Sequence, residues 1–123
     1  MAQLLFACPI ASKDIQTAIS FLITRVRDPD EDNWGKINHL IRYVRQNINM
    51  SLILRADSLK IIKWLVDVSY AAHLDMKGHM LVTMFFGRGY VTCIAKKHKI
   101  NVKSSTEAEL IGADDALPQM LWT

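Results

Sequence analysis

The sequence predicts an α/β protein of the α+β kind, with helices first and a sheet followed by one helix afterwards. Apolar residues recur at helical spacing as far as Asn47. Branched and aromatic residues dominate from residue 51 to residue 95, and a polar Ser-Ser-Thr cluster then opens a last helix. Half of the 123 residues are hydrophobic, enough for a modest core. The change of period divides the chain into residues 1–47 and 48–123.

Two helices are predicted before Asn47. The first follows Asp14, stops at Asp28-Pro29-Asp30, and has an apolar face made of Ile15, Ala18, Ile19, Leu22 and Val26. The second begins at the acids Glu31 and Asp32, and its apolar stripe is Ile37, Leu40, Ile41 and Val44. Packing against neighbouring elements is favoured over a site for both helices.

Four strands and a long helix are predicted after Asn47. The strands are residues 51–54, 60–69, 80–86 and 90–95, and Gly87-Arg88-Gly89 joins the last two as a hairpin. The helix runs from Ser105 to Trp122, with Ser104 and Glu107 spaced as a capping box. Its residues for burial are Ala108, Ile111, Ala116, Met120 and Leu121.

Two acids are candidates for metal-dependent chemistry. Asp67 ends a strand of Ile, Trp and Val residues, and Glu109 lies near the start of the last helix. Carboxylates on two rigid elements suit Mg²⁺ or Mn²⁺, which can activate water and stabilise a leaving oxygen in phosphodiester cleavage. The alternatives are a solvated acid at the end of a strand for Asp67 and an acid that complements the helix dipole for Glu109.

The basic residues are unevenly distributed, although the net charge is only +3 and the pI near 9.0. No acid occurs between Met76 and Thr106, a stretch that holds six lysines and arginines. Such a stretch is typical of a phosphate-backbone contact, or of an edge strand that lysines protect from aggregation. The candidate nucleic-acid contacts are Lys96, Lys97, Lys99 and Lys103 with the helix start at Ser104, Ser105 and Thr106.

The two cysteines, Cys8 and Cys93, are far apart and have no metal-binding spacing, which favours a reducing compartment. No apolar stretch approaches membrane-spanning length, and the N-terminal apolar run lacks a basic leader. We therefore expect an intracellular protein, cytoplasmic or nuclear, that is neither secreted nor bound to a membrane.

Several short sequence motifs, in a fixed order, resemble the RNase H domain of Ty1/copia-type retrotransposon polyproteins. These motifs are Asp67-Val68-Ser69-Tyr70, Gly87-Arg88-Gly89, Ala95-Lys96-Lys97-His98-Lys99 and Ser104-Ser105-Thr106-Glu107-Ala108-Glu109-Leu110. Upstream, Trp34-Gly35-Lys36-Ile37 and Ile41-Arg42-Tyr43-Val44-Arg45 look like the segment that joins the reverse transcriptase to RNase H in that family. The resemblance covers nearly the whole chain.

The resemblance implies an RNase H-like mixed sheet in residues 48–123 and a reverse-transcriptase connection in residues 1–47. It also implies that Asp67 and Glu109 are catalytic metal ligands and that RNA–DNA hybrids are the substrate. Because the family continues into a second catalytic strand beyond the position of Thr123, we expect a truncated domain that is inactive alone and self-associates through an open strand edge. The alternative is a non-catalytic nucleic-acid-binding or interaction module.

Overall fold

The computed structural model describes residues 2–123, with the backbone alone for residues 2, 7 and 9–11. It divides into two compact units, one ending at Ile53 and the other running from Leu54 to Thr123. Mixed helices and antiparallel strands confirm the α+β class. No helix among these residues has both the length and the apolar character that crossing a membrane requires.

The first unit is helical. It contains α1 (Ala2–Ala11), a 3₁₀ turn (Lys13–Ile15), α2 (Gln16–Ile23) and α3 (Glu31–Gln46). Helix α3 begins where the sequence predicts, because the Asp30 carboxylate accepts a hydrogen bond of 2.6 Å from the Asn33 N–H. The buried core of this unit comprises Cys8, Ile15, Ile19, Leu22 and Leu40.

Three residues predicted for the apolar faces of these helices, Ala18, Val26 and Ile41, are exposed instead. Val26 lies beyond the end of α2 at Ile23, in a turn where helical spacing no longer sets its direction. Ile41 follows the buried Leu40 and lies toward the solvent side of α3. All three predictions of burial are wrong.

The second unit contains a three-stranded antiparallel sheet in the order β2-β3-β5. Its strands are β2 (Lys63–Ser69), β3 (Lys77–Phe85) and β5 (Tyr90–Asn101). In the register of the sheet, Asp67 lies opposite Leu81 and Val82 opposite Ile94. The predicted end of the last strand at residue 95 is wrong, because β3 continues to pair with β5 as far as Lys77 opposite Asn101.

The connection between β3 and β5 contains a short strand that forms a separate two-stranded sheet. It pairs β1 (Arg55–Ala56) with β4 (Gly87–Arg88). At Gly87 a Cβ atom would lie 2.5 Å from the Arg55 carbonyl oxygen, and Gly89 has a φ of 74°, so both glycines of the predicted hairpin are required. The predicted strand at 51–54 is wrong, because the chain there remains exposed and pairs with no strand among the described residues.

Helix α4 (Ser105–Leu121) packs on one face of the three-stranded sheet. Met80, Val82 and Ala116 are buried between them, and half-buried Trp64, Val66, Val68, Ile94 and Met120 surround these three residues. Gly112 allows the close approach, since a Cβ atom there would overlap the Val68 side chain. Burial is confirmed for Ala108 and Ala116 but wrong for Leu121, which is the last residue of the helix and lies in solvent.

Candidate functional site

Asp67 lies on an exposed row of β2. Side chains along β2 alternate between exposed and half-buried, and the half-buried ones, Trp64, Val66 and Val68, contact the α4 layer. Asp67 therefore belongs to the opposite face of the sheet, together with Leu65 and Ser69. Within residues 2–123 its carboxylate has no hydrogen bond and no ion pair, so it is available to an external ligand.

Glu109 is an exposed residue near the start of α4, and its carboxylate is equally unpartnered within the described chain. The neighbouring acid has a structural role. The Glu107 carboxylate accepts a hydrogen bond of 2.7 Å from the Lys103 N–H, while the Ser104 hydroxyl accepts one of 3.2 Å from the Glu107 N–H. Of the two acids in the Ser104–Leu110 motif, Glu109 is thus the one available for chemistry.

Asp67 and Glu109 have the donor chemistry that Mg²⁺ or Mn²⁺ requires, and both lie on regular elements. Strand β2 carries Asp67 on the face turned away from α4, however, so the structure does not bring the two carboxylates together on one face of the sheet. No hydrogen bond or ion pair links them to a shared partner in residues 2–123. The same residues contain no group of three His, Cys, Asp or Glu side chains arranged to hold a metal ion. Asp115, another acid of α4, forms an ion pair of 3.3 Å with Lys96.

The four candidate lysines divide into two pairs. Lys96 and Lys97 are half-buried neighbours on β5, whose alternation places them on opposite faces of the sheet. Lys96 pairs with Asp115 at 3.3 Å, and Lys97 pairs with Asp75 at 2.8 Å. The hydrogen bond from Lys97 lowers the pKa of the Asp75 carboxyl. These two lysines are therefore partly neutralised inside the fold.

Lys99 and Lys103 differ because both are exposed and neither ammonium group has a partner within the described chain. Lys99 lies near the end of β5 and Lys103 in the turn from β5 into α4, where Ser105 and Thr106 form the exposed first turn of the helix. Amide groups at a helix N-terminus favour anions. Lys99, Lys103 and this helix start favour a phosphate group, whereas the Glu107 carboxylate, which accepts a hydrogen bond from the Lys103 N–H, opposes one.

Ser104 fixes this turn, and its loss has a predictable cost. We expect Ser104→Ala to lower the free energy of unfolding by about 1 kcal/mol, because the Glu107 N–H loses its side-chain acceptor. Urea unfolding of the two proteins measures the difference. Ser105→Ala, one residue further along and outside the cap, is the matched control and should change stability little.

Three buried histidines were not predicted from the sequence. His73 Nε2 lies 3.0 Å from His79 Nδ1, and both rings are almost fully buried. His98 is 2% exposed, and neither of its ring nitrogens has a hydrogen-bond partner within the part of the chain that the structure describes. Burial lowers the pKa of His79 and of His98. Strand alternation next to Lys97 could have indicated that His98 turns inward, but its place in a basic run hides this.

The fold and these surfaces define a helical unit followed by an α+β unit with two unpartnered carboxylates and a basic turn. The chain is similar to the retrovirus-related Pol polyprotein from transposon TNT 1-94 of Nicotiana tabacum, with 25% identity over 123 residues. This match confirms the resemblance to a copia-type retrotransposon polyprotein. It covers 99% of the chain but only 9% of that polyprotein. No family model and no solved structure matches.

Proposed function

We propose that this chain is a piece of a Ty1/copia-type polyprotein in which residues 1–47 form a reverse-transcriptase connection and residues 48–123 the first half of an RNase H-like domain. The observation that carries the proposal is the element order: three antiparallel strands and then a helix across their face, with Asp67 on the first long strand and Glu109 on the helix. The similarity to the tobacco polyprotein over nearly the whole chain supports it.

The activity that this descent implies is endonucleolytic cleavage of RNA in RNA–DNA hybrids. Asp67 and Glu109 would contribute carboxylate oxygens to Mg²⁺ or Mn²⁺, which supplies Lewis-acid chemistry at the phosphate when bound. Two carboxylates leave most of the coordination sphere to water. The 123-residue chain by itself is therefore expected to bind the metal weakly and to leave hybrids uncleaved. An intracellular location belongs to the same proposal.

Metal binding tests the assignment of the two carboxylates. We expect Asp67→Asn and Glu109→Gln each to weaken Mn²⁺ binding about tenfold or more, because neither acid alone offers enough oxygens to compete with hydration of the ion. Calorimetric titration with Mn²⁺ measures the affinities. Asp114→Asn is the matched control, since Asp114 is an exposed acid on the same helix. Equal affinity in wild type and Asp67→Asn would remove the proposed site.

The second candidate function, a nucleic-acid-binding module without catalysis, is favoured by the unpartnered Lys99 and Lys103 beside the start of α4. Lysines that contact phosphates contribute affinity without sequence preference. Ser105 and Thr106 add hydroxyl groups and the helix N-terminus to the same surface. This function needs neither Asp67 nor Glu109. A chain that binds hybrids but not Mn²⁺ would therefore support the second function and not the first.

Two matched double variants test the basic surface. Lys99→Gln/Lys103→Gln is expected to weaken binding to an RNA–DNA hybrid about tenfold, equally for different sequences, because two phosphate contacts are lost. Lys96→Gln/Lys97→Gln removes the same charge, but from lysines already paired with Asp115 and Asp75. It should therefore weaken binding less, and all four substitutions together should have the largest effect. Fluorescence anisotropy of a labelled hybrid gives the affinities.

The opposite order of the two double variants would contradict this assignment of the contacts. Loss that depends on the hybrid sequence would instead indicate readout of base edges.

A further inference from the structure

The turn between β2 and β3, residues 70–76, is strained near both of its ends. Ala71 has a φ of 50° and Met76 a φ of 59°, in the left-handed region that residues other than glycine rarely adopt. Such a conformation persists only where surrounding contacts hold it. Two backbone hydrogen bonds contribute, since the Met76 N–H donates to the His73 carbonyl oxygen at 2.9 Å and the His73 N–H donates to the Lys77 carbonyl oxygen at 3.1 Å.

A pair of buried imidazole rings connects this turn to strand β3. His73 belongs to the turn and is 3% exposed, and His79 belongs to β3 and is 6% exposed. His73 Nε2 lies 3.0 Å from His79 Nδ1. A neutral imidazole has one N–H group and one bare nitrogen, so one of the facing nitrogens donates, the other accepts, and a single proton lies between them. This bond fastens the middle of the turn to the sheet.

The hydrogen bond between the two rings is compatible with one positive charge on the pair but not with two. If the donating ring gains a second proton on its outer nitrogen, its inner N–H can still donate to the bare nitrogen of the other ring. If both rings are charged, two N–H groups face each other and the bond is lost. Two like charges this close also repel each other inside the fold. The rings therefore titrate as a coupled pair.

The charges around the pair do not favour a second proton. On β5, Lys97 lies directly opposite His79, and β2 places an uncharged serine opposite the same histidine. The acid of the turn, Asp75, forms ion pairs with Lys97 at 2.8 Å and with Lys77 at 3.9 Å, so its charge is already offset. Burial, together with the charge of His98, lowers the pKa of His79.

We propose that the His73–His79 pair is a pH-sensitive lock on the β2–β3 turn, which opens locally when both rings take up protons. Opening relieves the two left-handed residues of the turn, while the centre of the sheet stays folded. Because Asp75 lies in the same turn, opening also separates it from Lys97. The lock is formed inside the second unit and does not depend on nuclease ancestry or on nucleic-acid binding.

Hydrogen exchange of the His73 and Met76 amides measures the opening, because both amides donate within the closed turn. We expect the opening constant in wild type to rise about a hundredfold between pH 7 and pH 5, since the open turn binds up to two protons at histidines with a pKa of about 6.5 and the closed turn no more than one. Low concentrations of urea should leave this exchange unchanged, whereas they should accelerate exchange at the centre of β3, which requires unfolding of the whole unit.

Matched substitutions separate the pair from other buried histidines. In His73→Gln the amide side chain can donate or accept, so the bond to His79 survives protonation of that ring and the opening constant should rise only about tenfold or less. His98→Gln makes the same change at a buried histidine outside the pair and should leave the hundredfold rise in place. His73→Ala removes the bond and should leave both turn amides poorly protected even at pH 7.

An equally steep rise in His73→Gln and wild type would overturn the proposal, and so would a His98→Gln variant that flattens the rise as much as His73→Gln does. Circular dichroism verifies that each variant is folded. If a variant fails to fold, wild type alone decides the matter. Turn exchange that increases with acid and ignores urea supports the lock, while turn exchange that follows urea as the centre of β3 does, or that has no pH dependence beyond the chemistry of exchange itself, contradicts it.

Discussion

Replacing Gly112 by alanine is expected to lower the free energy of unfolding of the second unit by about 1–2 kcal/mol. A Cβ atom at this position would overlap the Cγ2 atom of Val68 and lie 3.6 Å from the Met80 sulfur atom. Valine is branched and cannot move aside by rotation alone, so helix α4 or the sheet must shift. The overlap outweighs the gain of about 1 kcal/mol that alanine brings to a helix.

Gly35 in α3 is the matched control, because the position that its Cβ would occupy has no described atom within 4 Å apart from the adjoining backbone of its own helix. Gly35→Ala should stabilise its own unit by up to about 1 kcal/mol. Hydrogen exchange of the β3 amides reports on the first variant and of the α3 amides on the second. Adding Val68→Ala should recover part of the stability lost in Gly112→Ala, and an absence of such coupling would show that the two residues do not compete for space.

Acid is expected to destabilise the second unit through its buried histidines. Burial lowers the pKa of His79 and of His98 below the value of 6.5 that an unfolded histidine has. Between these values the unfolded chain binds more protons than the folded one, so stability is complete above about pH 6.5 and is lost as the pH falls toward the folded pKa. Asp115 opposes the shift of His98, whereas Lys96 reinforces it, and His98 itself adds to the shift of His79.

Urea unfolding between about pH 7 and pH 5 measures this dependence before carboxyl groups titrate. His98→Gln should make the loss of stability on acidification shallower, whatever its effect at neutral pH. His39→Gln, at an exposed histidine of α3, should leave the dependence of the second unit unchanged. The same steepness in His98→Gln and wild type would contradict a contribution from His98.

Local signals in the sequence predicted most of the elements. Asp30 and Ser104 accept hydrogen bonds from backbone N–H groups at the starts of α3 and α4, and such caps depend on nearby residues only. The end of β5 was missed because strand length depends on a partner. Residues 96–101 look like a polar tail in the sequence, but they pair with β3 back to Lys77.

The sequence indicated the candidate site residues but not the ion pairs that some of them form within the fold. Which lysines are neutralised depends on Asp75 and Asp115, and no spacing in the sequence indicates that these acids meet Lys97 and Lys96 across the fold. Helical spacing predicts that Glu107 and Glu109 face different directions. The structure adds that the Glu107 carboxylate accepts a hydrogen bond from the Lys103 N–H, while Glu109 does not take part in the cap. Whether Asp67 and Glu109 share a metal ion stays a prediction.

The most direct test of the proposed nucleic-acid function is the affinity of the chain for an RNA–DNA hybrid, measured at increasing salt concentration. We expect the logarithm of the association constant to fall linearly with the logarithm of the salt concentration, with a slope of roughly −2 if Lys99 and Lys103 each neutralise one phosphate. Lys99→Gln/Lys103→Gln should make the slope shallower by roughly one for each lysine removed. Binding that does not respond to salt, or no binding at all at low salt, would contradict both nucleic-acid functions.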